Sequence, residues 1–460
     1  MLNHDAIDKQ IRSAFSSANL AGLVVGIVQG ADMPFLQGYG LADVASQQPV
    51  TPQTVFRIAS ISKIVTAVAL MRHWEEGLFQ LDDPVNQHLK TFQIRPYSAD
   101  SPPITIRHLL THTSGLGELA PLISYLHPRT TFGMGRPMRP MLPLGRFYGR
   151  WLRPSAAPGS KWAYANHGFA TLGQLVADLS GRPPAYDTFA THVRQTMFEP
   201  LGMNMTDFLR QPRHLPLLAT GHRLKKGQHK AVWPDMEIMT QADGSLYTTA
   251  EDFGRWTAAL LTQTALQPTT LDLMWQPHVQ LDPRLPAMGL GFFVDQWGDQ
   301  RIVSHDGAWL GFNSSLWLAP EANWGVFAFT NSGNTAVISL ARELLRAIIR
   351  APYPTAPDLP DQPEQWPALV GNYYPAPGLN SNFRIWLSHG GRLQIRAQGD
   401  QLHLASRWGV LKKGIRLRPL DSADPLAYHL NTQPILFGRN PTTGEIDRFH
   451  WRLNTFYKRQ

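Results

Sequence analysis

Ser60-Ile61-Ser62-Lys63 sets a hydroxyl and an amine three residues apart at the start of a helical pattern. Residues so spaced share one face of a helix, so the Lys63 amine comes within hydrogen-bond reach of Ser60 while Ser62 points elsewhere. The N-terminus of that helix adds free N–H groups and partial positive charge, which favour an alkoxide at Ser60 and an oxyanion beside it. A lysine enclosed there would have its charged form disfavoured and could act as a base. The tetrapeptide alone is common, and a serine cap beside a solvated lysine accounts for most chance matches. Other chemistries are easier to set aside. None of the 460 residues is cysteine, which excludes disulfides, thiolate metal sites and a cysteine nucleophile. His108 and His112 have the spacing of a zinc pair on a helix, but Leu109 stands where a zinc protease carries glutamate, so both read as structural. There is no Gly-x-Ser-x-Gly elbow, and Gly289-Leu290-Gly291 lacks the rest of a dinucleotide fingerprint. Neither a metal nor a cofactor is expected.

The elements that must hold these residues follow from periodicity. Ile7, Ile11 and Phe15 predict a short helix, followed by strands at Leu23 to Gln29 and Pro34 to Asp43 around a Gly30-Ala31-Asp32 turn. Ile61, Ile64, Val65 and Val68 predict the helix from Ser60, stopped by Gly77. Helical spacing returns at Ile104 to Thr111, Phe169 to Leu179, Phe189 to Phe198, Thr249 to Leu261 and Val337 to Ile349. Strand-like runs lie at Leu290 to Trp297, Arg301 to Ser304, Ser314 to Leu318 and Trp324 to Thr330. Strands at both ends of a mostly helical middle imply one sheet that the chain rejoins late. Five prolines between Ala351 and Pro363 predict a stiff linker, at 351–366, between a unit at 1–350 and one at 367–460. In the latter, Phe383, Ile385 and Leu387 alternate with Arg384 and Trp386, and Leu393 and Ile395 follow a Gly390-Gly391 turn. That period of two predicts a small antiparallel barrel or sandwich, with Trp386 and Trp408 packed in its core or lining a ligand cavity.

Two more motifs stand in order along the chain: Tyr164-Ala165-Asn166, just before the Phe169 to Leu179 helix, and His305-Asp306-Gly307, after the Arg301 to Ser304 strand. With Ser60-Ile61-Ser62-Lys63 they resemble the penicillin-binding protein and serine β-lactamase superfamily, which carries Ser-x-x-Lys, then Tyr-x-Asn or Ser-x-Asn, then Lys-Thr-Gly or His-x-Gly. Leu109-Leu110-Thr111-His112-Thr113-Ser114-Gly115-Leu116 resembles a segment of its class C-like branch, the esterases and D-amino-acid peptidases. The resemblance spans about residues 5 to 350. It implies an α/β, β-lactamase-like fold, an antiparallel sheet flanked by helices with an all-helical subdomain. It also implies that the C-terminal antiparallel β-barrel is similar to the lipocalin-like domains appended to some members. In those terms Ser60 is the acylated nucleophile, Lys63 and Tyr164 share the proton transfer, and Asn166 positions substrate and Lys63. Tyrosine serves as a base only where a cation favours its phenolate, and Lys63 is the candidate cation. The resemblance places the oxyanion hole at the backbone N–H groups of Ser60 and Ala308, with Gly307 allowing the close approach.

One departure bears on substrate. His305 replaces the lysine that helps bind a β-lactam carboxylate, and it is a weaker, pH-dependent cation, so ester, amide or peptide hydrolysis is favoured over penicillinase activity. Asp306 would favour a substrate amine if it faced the cleft, and alternation along a strand equally allows it to point away. Transfer of the acyl group to an alcohol or amine, and a binding or scaffold role without turnover, are the rival readings.

The chain carries 42 basic and 34 acidic residues, a net charge of +8. Between Glu118 and Asp178 there is no acid, yet Arg129, Arg136, Arg139, Arg146, Arg150, Arg153 and Lys161 fall there. That Pro- and Arg-rich insertion, about 119–160, reads as a flap at the cleft mouth, a homo-oligomer or peripheral surface contact, or a solvated loop. Expected partners are a small-molecule or peptide substrate, with no nucleic acid. No run approaches the roughly 18 apolar residues of a spanning helix. A cytoplasmic location is expected, because Asp5 and Asp8 spoil a signal-peptide reading of Leu20 to Val28.

Overall fold

The computed structural model describes residues 2–126, 134–139, 141–232, 235–355, 357–375 and 381–459. Leu23, Val25 and Ile27 face one side of the strand Gly22–Gln29 while Val24 and Val28 face the other, and each side meets its own hydrophobic core. A strand covered on both faces reads as an unbroken apolar run, which is why Leu20 to Val28 imitates a signal peptide. This strand sits inside an antiparallel sheet of eight. The order is Ala287–Met288, Phe293–Trp297, Gln300–Trp309, Phe312–Ala319, Trp324–Thr330, Gly22–Gln29, Asp32–Asp43 and Gln48–Pro49. The late strand Trp324–Thr330 pairs with Gly22–Gln29 from Leu23↔Thr330 to Gln29↔Trp324, so the chain rejoins its own beginning.

One face of the sheet is covered by the helices His4–Ser17 and Ala336–Ile348 through Ile7, Ile11, Leu340 and Leu344. The other carries Ser62–Glu75, Asn166–Leu179 and Ala250–Leu261, whose packed side chains include Val65, Phe169 and Trp256. The helix Ser62–Glu75 is buried almost all round. It therefore has fixed neighbours on every side, and the residues at its N-terminus are held rigidly.

The described residues of 119–160 are only partly surface. Leu142, Phe147, Tyr148 and Leu152 sink into the main core, and Met134–Gly135 pairs with Glu237–Ile238. The loose-loop reading therefore fails for this part of the insertion, because its apolar side chains have a core to enter. Arg129 lies outside the described residues.

The C-terminal strands close into an eight-stranded antiparallel barrel, in which Gly371–Pro375 pairs with both Leu393–Gln398 and Asn454–Arg459. Its inside is filled by Tyr373, Leu393, Ile395, Leu404, Phe437 and Phe449. One element departs from expectation. Phe383 to Leu387 is not a strand but part of a helix, Phe383–His389, ended by Gly390 at φ 78°. Five alternating residues are too few to separate the two periods, and among them Ile385 alone packs against the barrel core. Within the linker, Asp361 and Asp358 pair with Arg416 and Arg418 of the barrel.

Candidate active site

The turn that presents Ser60 is strained and clamped. Ala59 has a left-handed φ of 48°, costly for a residue with a Cβ, and Ala59–Ile61 forms a 3₁₀ turn leading directly into Ser62–Glu75. Ser62 holds it: its hydroxyl donates to the Ala59 carbonyl (2.6 Å) and accepts from the Leu246 N–H (3.0 Å). Ser62 thus points away from Lys63, as the spacing requires. Lys63 is fully buried, and its Nζ donates to Ser60 Oγ (3.2 Å) and to the Asp243 carbonyl (2.5 Å).

Tyr164 and Asn166 come from the segment entering Asn166–Leu179. Lys63 Nζ lies 4.9 Å from the centroid of the Tyr164 ring. The Tyr164 hydroxyl is buried beside Ser60 and Lys63. Burial by itself pushes the phenol up; the positive charges of Lys63 and then Arg384 outweigh it and bring the group below its ordinary value. Asn166 Nδ2 donates to the Glu118 carbonyl (3.3 Å).

His112 backs Tyr164 with a stacked ring, centroids 4.4 Å apart. It does not share a helix with His108: the helix is Ile106–Leu110, and His112 follows at φ 58°. The Ala165 N–H donates to His112 Nδ1 (3.0 Å), and burial, with Lys63 nearby, holds the ring well below its ordinary pKa and neutral. His108 closes a capping box with Thr105.

The third motif lies on a strand that runs longer than expected, Gln300–Trp309. Phe293–Trp297 leaves it after Ser304, so one edge of residues 305–309 passes the Ser60 turn without a sheet partner. Gly307 is the point of contact: a Cβ there would lie 2.2 Å from the Ile58 carbonyl, 2.3 Å from Ser314 Oγ and 3.1 Å from the Ser60 nitrogen. Ser314 Oγ also donates to the Ile58 carbonyl (2.7 Å), tying the two segments together. Ala308 follows, exposed, opposite Asn313.

Two points about this motif depend on the structure. His305 is no cation: burial, then Lys63, depresses it to about 3, and its Nδ1–H donates to the Asp306 carbonyl (2.7 Å). Asp306 does not face the cleft. Its carboxylate accepts from Ser315 Oγ (2.6 Å) and lines a separate cavity of about 750 Å³ with Trp317, Arg342 and Arg452.

The structure adds a group that periodicity hides. The helix Phe383–His389 of the barrel reaches the cleft, and the Arg384 guanidinium stands 4.1 Å from the Tyr164 ring centroid. Glu118 receives it, with Arg384 Nε donating at 2.9 Å and the Arg384 backbone N–H at 2.7 Å. Nearby, Ser155 and Ser381 hydroxyls meet at 2.5 Å. Its alternating neighbours give Arg384 the local pattern of a strand residue, and nothing in that pattern points to Ser60.

Residues 7–351 match the family model described as Beta-lactamase, and the chain belongs to that family, the superfamily of serine β-lactamases and penicillin-binding proteins. Among curated relatives, Protein flp of Staphylococcus aureus (strain N315) is 23% identical over 75% of this chain and 66% of its own length. Penicillin-binding protein 4* of Bacillus subtilis (strain 168) is 25% identical over 63% of each chain. The chain thus spans just under two thirds of these relatives. Two solved structures share the fold over both the sheet unit and the barrel. The octameric penicillin-binding protein homologue from Pyrococcus abyssi is 20% identical with a TM-score of 0.64, over 99% of this chain and 100% of that one. SurE is 22% identical with a TM-score of 0.66, over 99% of each.

Proposed function

We propose that this chain is a serine hydrolase that forms an acyl-enzyme on Ser60 from an ester, amide or peptide. The observation that carries this is the contact of Lys63 Nζ with Ser60 Oγ beside a tyrosine whose phenolate two cations favour. In the first step Tyr164, as phenolate, takes the Ser60 proton while Oγ bonds the acyl carbon. The N–H groups of Ser60 and Ala308 would receive the oxyanion. The proton passes to the leaving group as its bond breaks, and water then repeats the sequence on the ester.

Arg384, held by Glu118, adds the second cation to this machinery. His305, uncharged, offers no ammonium to a β-lactam carboxylate, which favours esters and aminoacyl amides over penicillins. A neighbour of this fold, SurE, was solved with D-Leu, which makes D-aminoacyl compounds a sensible first panel.

The test is labelling with a fluorophosphonate, then turnover of p-nitrophenyl esters, D- and L-aminoacyl amides and a β-lactam. An adduct on Ser60, loss of turnover in Ser60→Ala and slowest turnover of the β-lactam are expected. No adduct, with turnover unchanged in Ser60→Ala, would overturn the reading. A burst whose slow phase accelerates with added amine or alcohol would instead assign acyl transfer.

A further inference from the structure

The end of the barrel beside the cleft presents apolar side chains to solvent. The helix Phe383–His389 and the loop 407–414 pack together there. The Trp408 indole N–H donates to the Leu387 carbonyl (2.7 Å) and the Arg407 N–H to the His389 carbonyl (3.3 Å). A Cβ on Gly390 would come within 3.4 Å of the Trp408 ring, and one on Gly391 within 2.5 Å of Trp386. Each segment has an inward anchor, Ile385 in the helix and Leu411 in the loop. Left outward are Trp386, Leu387, Trp408 and Val410, which are 44%, 62%, 41% and 85% exposed. The reading of both tryptophans as core or cavity residues is therefore corrected. Grouped exposure of this kind marks an interaction surface.

The charge around these residues says which kind. Residues 365–420 contain one acid, Asp400, against eight bases: Arg384, Arg392, Arg396, Arg407, Lys412, Lys413, Arg416 and Arg418. Glu118, Asp361 and Asp358 occupy Arg384, Arg416 and Arg418. Arg392, Arg407, Lys412 and Lys413 are exposed and flank the apolar group in the chain. We propose that this end of the barrel binds a membrane surface rich in anionic phospholipid. The tryptophans and aliphatic side chains would enter the headgroup boundary and the bases would meet the phosphates. A nucleic acid would use the bases but gain nothing from Leu387 and Val410. A second copy meeting this face symmetrically would set the same four cations against each other. No described helix is long and apolar enough to cross a membrane. Trp386 and Leu387 follow Arg384 on one short helix, so the bound surface lies next to the cleft mouth.

Co-sedimentation of the full chain with vesicles tests this, comparing phosphatidylcholine alone with its mixture with phosphatidylglycerol. Binding to the mixed vesicles at least ~10-fold tighter, and weaker in high salt, is expected. Lys412→Glu/Lys413→Glu should abolish that preference, and Leu387→Ser/Val410→Ser should weaken binding by ~10-fold. All four side chains are exposed, so the thermal midpoints of the variants should match the parent. Equal or absent binding to the two vesicle types, or binding that neither variant changes, would overturn the proposal. So would an oligomer in sedimentation velocity that dissolves in Leu387→Ser/Val410→Ser while no vesicle binding is found.

Discussion

Arg384 crosses from the barrel to stand 4.1 Å from the Tyr164 ring, so the phenol feels a cation from each unit, Lys63 from the sheet unit and Arg384 from the barrel. The guanidinium remains half open to solvent, so water screens part of its effect. Arg384→Gln should let the Tyr164 pKa rise. The alkaline-rising limb of the rate profile then moves to higher pH, turnover at neutral pH falls by roughly tenfold, and Arg384→Lys restores part of it. A pH–rate series on one ester checks this. An unmoved limb would show that Arg384 acts on packing alone.

Gly307 should tolerate no side chain. The atoms a Cβ would meet are the Ile58 carbonyl and Ser314 Oγ, both fixed by the hydrogen bond between them. Gly307→Ala must push the strand away from Ser60, so kcat should drop by ~10²-fold or more with a stability cost of about 1–3 kcal/mol. Steady-state kinetics and denaturant unfolding of the same preparation separate the two effects.

Asp306 should be silent toward substrate charge. Its carboxylate bonds Ser315 on the face away from Ser60, and an amide oxygen can accept the same hydrogen bond. Asp306→Asn is expected to leave the ratio of kcat/KM for amine-bearing and neutral esters within about threefold of the parent, well under 1 kcal/mol. A selective loss for the amine-bearing substrate would return Asp306 to the cleft.

Acid should unfold the protein early, through histidines buried neutral. His167 and His305 are both depressed to about 3 by burial. Above pH ~6.5 they are neutral in both folded and unfolded chains, and their contribution is complete. As pH falls from there towards 3 the unfolded chain takes up protons that the folded one refuses, so stability is lost by about 1.4 kcal/mol per pH unit for each group. Urea midpoints between pH 7 and 4 should fall accordingly, and His167→Gln should make that slope shallower by about one proton.

Much of the catalytic frame was legible in the chain because it is local. Ser60 and Lys63 are three residues apart where the 3₁₀ turn Ala59–Ile61 runs into the helix Ser62–Glu75, and that short spacing brings their side chains together. Gly22–Gln29, Asp32–Asp43 and Trp324–Thr330 were legible as strands, since apolar runs bounded by turns need little context. The family motifs, rather than any periodicity, joined Tyr164 and His305 to Ser60.

Tertiary structure decided what depends on enclosure and on distant neighbours. His305 carries the same imidazole wherever it stands, but only its burial, with Lys63 nearby, keeps it neutral well into acid. The side of the strand on which Asp306 lies follows from pairing opposite Ser315. The net charge of +8 is countable from the chain, whereas which bases are spent in ion pairs and which face solvent is not. Arg384 is the clearest case: it meets Glu118, 266 positions away in sequence, from a helix whose five alternating residues imitate a strand. A period can show which side chains share a face, and only packing decides what that face meets.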